Sequence, residues 1–439
     1  MRSSIVLVLA LLLGPICLCS RPAAADDWPQ WRGPTRDGVW RETGVVEKFA
    51  SPQIKIRWRV PISSGYSGPT VADGRVYVTD RVAEPEQIER VHCFDAKTGE
   101  PVWSHSYDCV YHDVSYTAGP RASVTIDEGR AYALGTMGDF FCFDAASGEI
   151  LWQHHLDEEY KIRMPIWGLA ASPLVEQGLV IVQVSGEGDA CLVAFDKQTG
   201  EERWRSMKDD ASYAAPIMTK QAGRPVMICW TGQHVAGLDA STGKVYWEYP
   251  FKPSKMVLSI ATPVIERDRL FVTGFYDGSL MLKLDPKKLA VEKLWRRVGR
   301  DENHTDSLQS LISTPYLKGD YVYGVDSNGE LRCLEAETGD RLWEQLPGKK
   351  PVRWFTIHMV ENHGKIWMFN ERGELVITRL SPKGYEEISR AKLIAPTREQ
   401  LNERGGVCWA HPAFADRHVF ARNDEELVAA DLSAAGAKD

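Results

Sequence analysis

One short run returns throughout this chain, first as Phe94-Asp95-Ala96-Lys97-Thr98-Gly99-Glu100-Pro101-Val102-Trp103. Well-kept copies run from Phe143-Asp144 to Trp152, Phe195-Asp196 to Trp204, Leu238-Asp239 to Trp247 and Leu334-Glu335 to Trp343. A longer variant runs from Leu284-Asp285 to Trp295. Two copies are worn: Leu380-Ser381-Pro382-Lys383-Gly384 lacks both acid and tryptophan, and Ala430-Asp431-Leu432 stops before its turn is complete. With anchors at 95, 144, 196, 239, 285, 335, 381 and 431, successive spacings are 49, 52, 43, 46, 50, 46 and 50 residues. That spacing is the length of one four-stranded blade, so the run predicts an all-β, eight-bladed β-propeller of antiparallel blades.

Each part of the run has a physical task. An apolar strand ends at Phe or Leu, and the Asp side chain caps the backbone amides of the turn. The Gly takes the positive φ that a tight hairpin requires. The next strand then carries a Trp inward, where its ring can fill the wedge between blades. Upstream of the signatures stand small residues followed by Pro, as in Ser67-Gly68-Pro69, Ala171-Ser172-Pro173, Ala214-Ala215-Pro216 and Ala410-His411-Pro412. These suit the crowded start of an innermost strand near an axis. Alternating segments such as Arg75-Val76-Tyr77-Val78-Thr79 follow and read as half-buried strands.

The eighth copy has no outer strand after its turn. Ile54-Lys55-Ile56-Arg57-Trp58-Arg59-Val60 resembles the strand that should follow, with Trp58 in the tryptophan role. Pairing this N-terminal strand with the C-terminal blade would close the ring and hide two edges that otherwise invite aggregation. The expected organisation is therefore a signal peptide at 1–25, an extension at 26–53 packing on the propeller, and a single propeller domain at 54–439.

The signal peptide rests on Arg2, the apolar run from Ile5 to Leu13, and Ala23-Ala24-Ala25 before Asp26. Cleavage near Ala25 would make the protein periplasmic or secreted. Seven cysteines remain beyond it, an odd and scattered set, several at apolar strand positions (Cys93, Cys142, Cys333), so no disulfide framework is expected. A net charge of -8 without a Lys/Arg run argues against nucleic acid as a partner.

The Asp-Ala-x-Thr-Gly-x-x-x-Trp core resembles the quinoprotein-like propeller repeat, found in pyrroloquinoline-quinone (PQQ) dehydrogenases and in the non-catalytic outer-membrane assembly protein BamB. The resemblance covers nearly all of Ile54 to Leu432. The opening Asp27-Trp28-Pro29-Gln30-Trp31-Arg32-Gly33 looks like that of secreted planctomycete-type members of this group.

Two functions follow from the resemblance. A BamB-like scaffold would bind a protein or carbohydrate partner in the cell envelope, associating peripherally with membrane complexes and needing no cofactor or metal. A quinone-dependent alcohol or sugar dehydrogenase would need PQQ, calcium, a carboxylate base and ligands from Glu, Asn and Asp, and often an adjacent Cys-Cys pair. No two of the seven cysteines are adjacent and no Cys-x-x-Cys-His haem site occurs. The residues favour the scaffold, and no oligomeric state follows from them.

Loops leading into the innermost strands should converge on an axial funnel. Their polar and aromatic residues are the candidate ligand-binding set: Tyr66, Tyr116 with Arg121, Trp167, Tyr213, His304, Trp354 with His358, and Trp409 with His411. Together they would line an aromatic pocket with several histidines and a cation. His304, His358 and His411 could form a metal site only by facing one another across the axis.

Overall fold

The structure, a computed structural model, describes residues 26–346 and 352–435. The signal-peptide reading at 1–25 lies outside the described residues. The described chain forms eight four-stranded antiparallel sheets, the blades of an eight-bladed β-propeller. Seven blades are continuous in sequence, at residues 70–108, 125–155, 174–206, 217–250, 264–297, 316–345 and 357–392. The eighth combines residues 413–431 with the N-terminal strand Ile56–Pro61. That strand pairs with Glu426–Asp431, placing Trp58 opposite Ala429, so the expected closure is present.

The strands of each blade are called a to d from the axis outward. Strand a has only three residues in six of the eight blades, as in buried Thr70–Ala72, which touches strand a of both neighbouring blades. Strand d alternates exposed and part-buried residues, as in Pro101–Asp108. The a–b and c–d turns share one face of the disk, where Ala96 N donates to Gly74 O at 2.8 Å. The b–c hairpins and the connections between blades occupy the other face.

The repeated signature works across blades. In the first copy Asp95 Oδ1 accepts from the amides of Lys97 (2.9 Å) and Thr98 (2.8 Å), while Gly99 sits at φ 77°. Each tryptophan then docks on the turn of the next blade: Nε1 of Trp58 donates to Ala96 O, of Trp103 to Ala145 O and of Trp204 to Ala240 O, at 3.0, 3.0 and 3.1 Å. A Cβ on Gly99 would stand 2.8 Å from the Trp58 ring, so this glycine is required by contact as well as by φ. In the longer fifth turn the reach is too great. Gln221 bridges it, accepting from Trp247 Nε1 at 2.9 Å and donating to Ala290 O at 2.6 Å.

Every c–d pair carries a β-bulge, at Cys93/Phe94 in the first blade and at Ile56/Trp58 in the eighth. The extra residue lies just before the tryptophan, and the bulge bends strand d so that the indole turns toward the seam. The residue left unpaired faces solvent, which explains exposed Val102, Leu151 and Leu342.

The two worn copies are neighbours, and the extension at 26–53 covers their seam. Ser389 stands where the seventh blade lacks its tryptophan, and it accepts from Phe49 N at 2.9 Å. Phe49 packs edge-on to Trp367 with ring centroids 5.9 Å apart, and Trp40 does the same at 5.3 Å. Backbone bonds from Ile54 N to Lys392 O and from Val46 N to Leu432 O, both 2.8 Å, fasten the extension to both blades.

The extension also closes the axis on the turn face. Trp28 exchanges backbone bonds with Val71, and Trp31 Nε1 donates to Thr262 Oγ1 at 2.8 Å. The buried Arg36 guanidinium donates to Ser172 O, Pro173 O and Pro216 O, tying the loop to the third and fourth blades. Burial lowers its pKa to about 9. All seven described cysteines are free and buried.

Candidate functional site

On the face opposite the signature turns, the axial channel widens into a funnel with a cavity of about 140 Å³. An engineered apolar cavity of about this size holds one benzene. Eight of the ten candidate residues line it: Tyr66, Tyr116, Arg121, Trp167, Tyr213, Trp354, Trp409 and His411. They come from connections between blades, because only those segments reach the axis on this face.

Tyr116 is the hub of the wall. Its ring lies 5.8 Å from Trp167, 6.3 Å from Trp354 and 6.4 Å from Trp409. Trp167 in turn meets Tyr213 at 5.2 Å. Tyr116 and Trp354 both have positive φ, 58° and 64°, a strained conformation for aromatic residues that concentrates at ligand sites. The local fold holds Tyr116 there: Arg121 donates to the carbonyls of Ser115, Tyr116 and Gly119 at 2.9, 2.5 and 2.8 Å. The same guanidinium lies 5.1 Å over the Tyr66 ring, a cation–π contact. Arg121 therefore acts first as a loop clamp, and its hydrogen bonds go to carbonyl oxygens and the Thr136 hydroxyl.

Two candidates lie elsewhere. His304 sits in an exposed turn, its Nδ1 2.7 Å from Asp301 Oδ1, away from the cavity lining. His358 falls inside strand a of the seventh blade and is buried behind the wall, bonded through Nε2 to Trp409 O at 2.8 Å. Its ring meets that of His411 at 4.8 Å. Burial pushes the His358 pKa down to about 4; burial, His358 and the nearby Arg32 guanidinium push that of His411 well below the ordinary value. The three histidines do not converge, and no group of three or more metal-ligating side chains occurs among the described residues.

The structure adds lining residues beyond the candidate set. Trp31, from the N-terminal extension, closes the bottom of the funnel and meets His411 at 5.1 Å. Ile260, Leu311 and Ile312 complete an apolar wall. The Trp-x-x-Trp spacing of the extension was a visible signal for Trp31; the aliphatic residues carry none, since each reads as ordinary core.

The donor set bears on the quinone reading. Calcium takes six to eight oxygen ligands, typically with carboxylates among them, whereas the lining holds no carboxylate and no carboxamide. The aromatic floor would suit a planar cofactor, but these residues do not fit a calcium-bound quinone.

A family model described as "Outer membrane protein assembly factor BamB" matches residues 87–345 and 292–438. The chain belongs to the BamB family. A BamB of Burkholderia pseudomallei is 24% identical over 319 residues, covering 71% of this chain and 64% of that protein. For a BamB of Shewanella oneidensis the identity is 20%, over 46% of this chain and 54% of that protein. The chain thus spans less than two thirds of the length of either curated relative.

Solved structures agree on the fold. BamB from Moraxella catarrhalis superposes with a TM-score of 0.58 at 16% identity, over 85% of this chain and 98% of that one. The quinohemoprotein alcohol dehydrogenase from Comamonas testosteroni superposes with a TM-score of 0.63 at 15% identity, over 92% of this chain and 80% of that one. BamB-family members and dehydrogenases share this propeller, so the fold does not choose between scaffold and enzyme.

Proposed function

We propose that this BamB-family chain is an exported, non-catalytic scaffold whose funnel receives a segment of a protein partner in the cell envelope. The observation that carries the reading is the character of the funnel: a rigid aromatic socket, closed below by Trp31, with no carboxylate or cysteine on its wall. Large aromatic side chains on a preformed frame supply contact area at low entropic cost, the usual make-up of a binding hot spot. The family description, which concerns outer membrane protein assembly, supports a polypeptide rather than a carbohydrate as partner.

The test is capture from envelope extracts of the source organism. The full chain should retain a specific partner, and Trp167→Ala combined with Ile312→Glu should release it while the melting temperature holds. Retention by the double variant would move the site off the funnel.

The PQQ- and calcium-dependent dehydrogenase, the other function the resemblance implies, has only the shared fold behind it and finds no calcium ligands on the funnel wall. Reconstitution with the quinone and calcium, followed by dye-linked oxidation of alcohols and sugars, tests it. Tight binding with turnover would displace the scaffold.

A further inference from the structure

Cleavage after Ala25 would turn the backbone nitrogen of Asp26 from an amide into an α-ammonium group, and the fold holds a carboxylate at that atom. Asp26 N donates to Glu42 Oε1 at 3.2 Å. Both ends of this contact are fixed by their neighbours. Two residues beyond Asp26, Trp28 is 2% exposed and exchanges backbone bonds with Val71 at 2.8 and 2.9 Å. The Glu42 carboxylate is held through its other oxygen. Oε2 accepts from Trp40 Nε1 at 2.7 Å and from the amide of Arg417, in the a–b turn of the eighth blade, at 2.6 Å. Oε1 is left to Asp26.

The charges around the contact are of one sign. Burial first, and then the charges of Asp73, Asp26 and Glu42, push the Asp27 carboxyl above its ordinary value, although the Asp73 amide offsets part of this. The arginines beside the group are engaged elsewhere: Arg41 pairs with Asp37, Arg417 with Asp416, and Arg75 reaches the Asp73 carbonyl. A neutral amide gives Glu42 one modest hydrogen bond. An ammonium at the same atom makes a charge-assisted bond, roughly twice as strong, and brings the positive charge that these carboxylates lack.

The sequence supplies that charge independently, because Ala23-Ala24-Ala25 ahead of Asp26 marks the bond to be cut. We propose that Glu42 is the receptor for the mature N-terminus. Hydrolysis of the Ala25–Asp26 peptide bond leaves a carboxylate on the released peptide and an α-ammonium on Asp26, which pairs with Glu42. The pair pins the start of the segment that carries Trp28 and Trp31 across the axis, and ties it to the blade that closes the ring. This rests on the signal-peptide reading and is independent of what the funnel binds.

Two measurements on the exported protein test the proposal. Intact mass and N-terminal sequencing should show Asp26 as the first residue. Acylation of the α-amine by a succinimidyl ester at pH 7 is then followed on the N-terminal peptide by mass spectrometry. An ammonium held by a carboxylate releases its proton less readily. The chain starting at Asp26 should therefore react about tenfold more slowly than the same chain with one glycine added before Asp26. Glu42→Gln keeps an acceptor for Trp40 and Arg417 but turns N–H groups toward the amine, and should abolish the slow reaction. The glycine comparison needs no substitution, so a folding defect in Glu42→Gln leaves it standing. A first residue other than Asp26 would overturn the receptor together with the cleavage reading. Asp26 in first place with equal rates for the two chains would overturn the receptor alone.

Discussion

The two faces of the disk are built by opposite rules. On the turn face one contact is repeated around the ring: an Asp-capped turn, a glycine, and the tryptophan of the preceding blade lying on it, as in Trp58 on Gly99 and Trp103 on Gly148. On the funnel face nothing repeats. Tyr116, Trp167, Trp354 and Trp409 come from connections of different length and sequence, and two of the four hold positive φ. The periodic face supplies stability and leaves the aperiodic one free to vary, a division expected where a rigid frame carries binding loops.

The seventh and eighth blades show what happens when the periodic rule lapses. Where Ser389 replaces the tryptophan, Phe49 and Trp40 of the N-terminal extension seal the seam instead. The same extension delivers Trp31 to the funnel floor, so one segment serves both faces.

Substitutions on the turn face should cost stability and spare binding. The largest effect is expected from Trp58→Ala, which empties the seam that closes the ring. A buried Trp→Ala change costs about 3–5 kcal/mol, to be read by urea denaturation. A cost under 1 kcal/mol would mean that the closure does not hold the ring. Gly99→Ala should follow at about 1–3 kcal/mol, from left-handed strain and the collision with Trp58.

Acid should act on the funnel face. The His358 imidazole, ordinarily near 6.5, is held at about 4 by burial. Between those values the unfolded chain binds the extra proton. The contribution of His358 is therefore whole above about pH 6.5 and is lost as pH falls toward 4. Denaturation curves at pH 7.5 and 4.5 should differ, and His358→Gln should shrink the difference; an unchanged difference would contradict the assignment. The smallest stability change, about 1 kcal/mol, is expected for Trp167→Ala, a part-buried residue at the funnel wall, where the loss should appear in partner binding instead.

What could be read in the sequence divides along the same line. The turn Asp, Gly and Trp were legible because their spacing is local, and Trp58 was legible as the missing outer strand because it copies the motif. Most of the candidate funnel residues were reachable because small-residue-Pro runs mark where strand a begins. His358 was misplaced relative to His411 because it lies within its strand rather than before it, and His304 because Asp301 binds it locally. The β-bulges were hidden, since register is a property of pairs of strands. So was the repair at Ser389, whose partner Phe49 lies 340 residues away in sequence.

The division between faces is tested most directly by one capture experiment with three chains. The unaltered protein, Trp167→Ala with Ile312→Glu on the funnel face, and Lys97→Glu on the exposed turn face are each presented to envelope extracts at equal concentration. Release of the partner by the funnel variant alone, with similar melting temperatures for all three, is the predicted result. Release by Lys97→Glu, or retention by the funnel variant, would contradict the account.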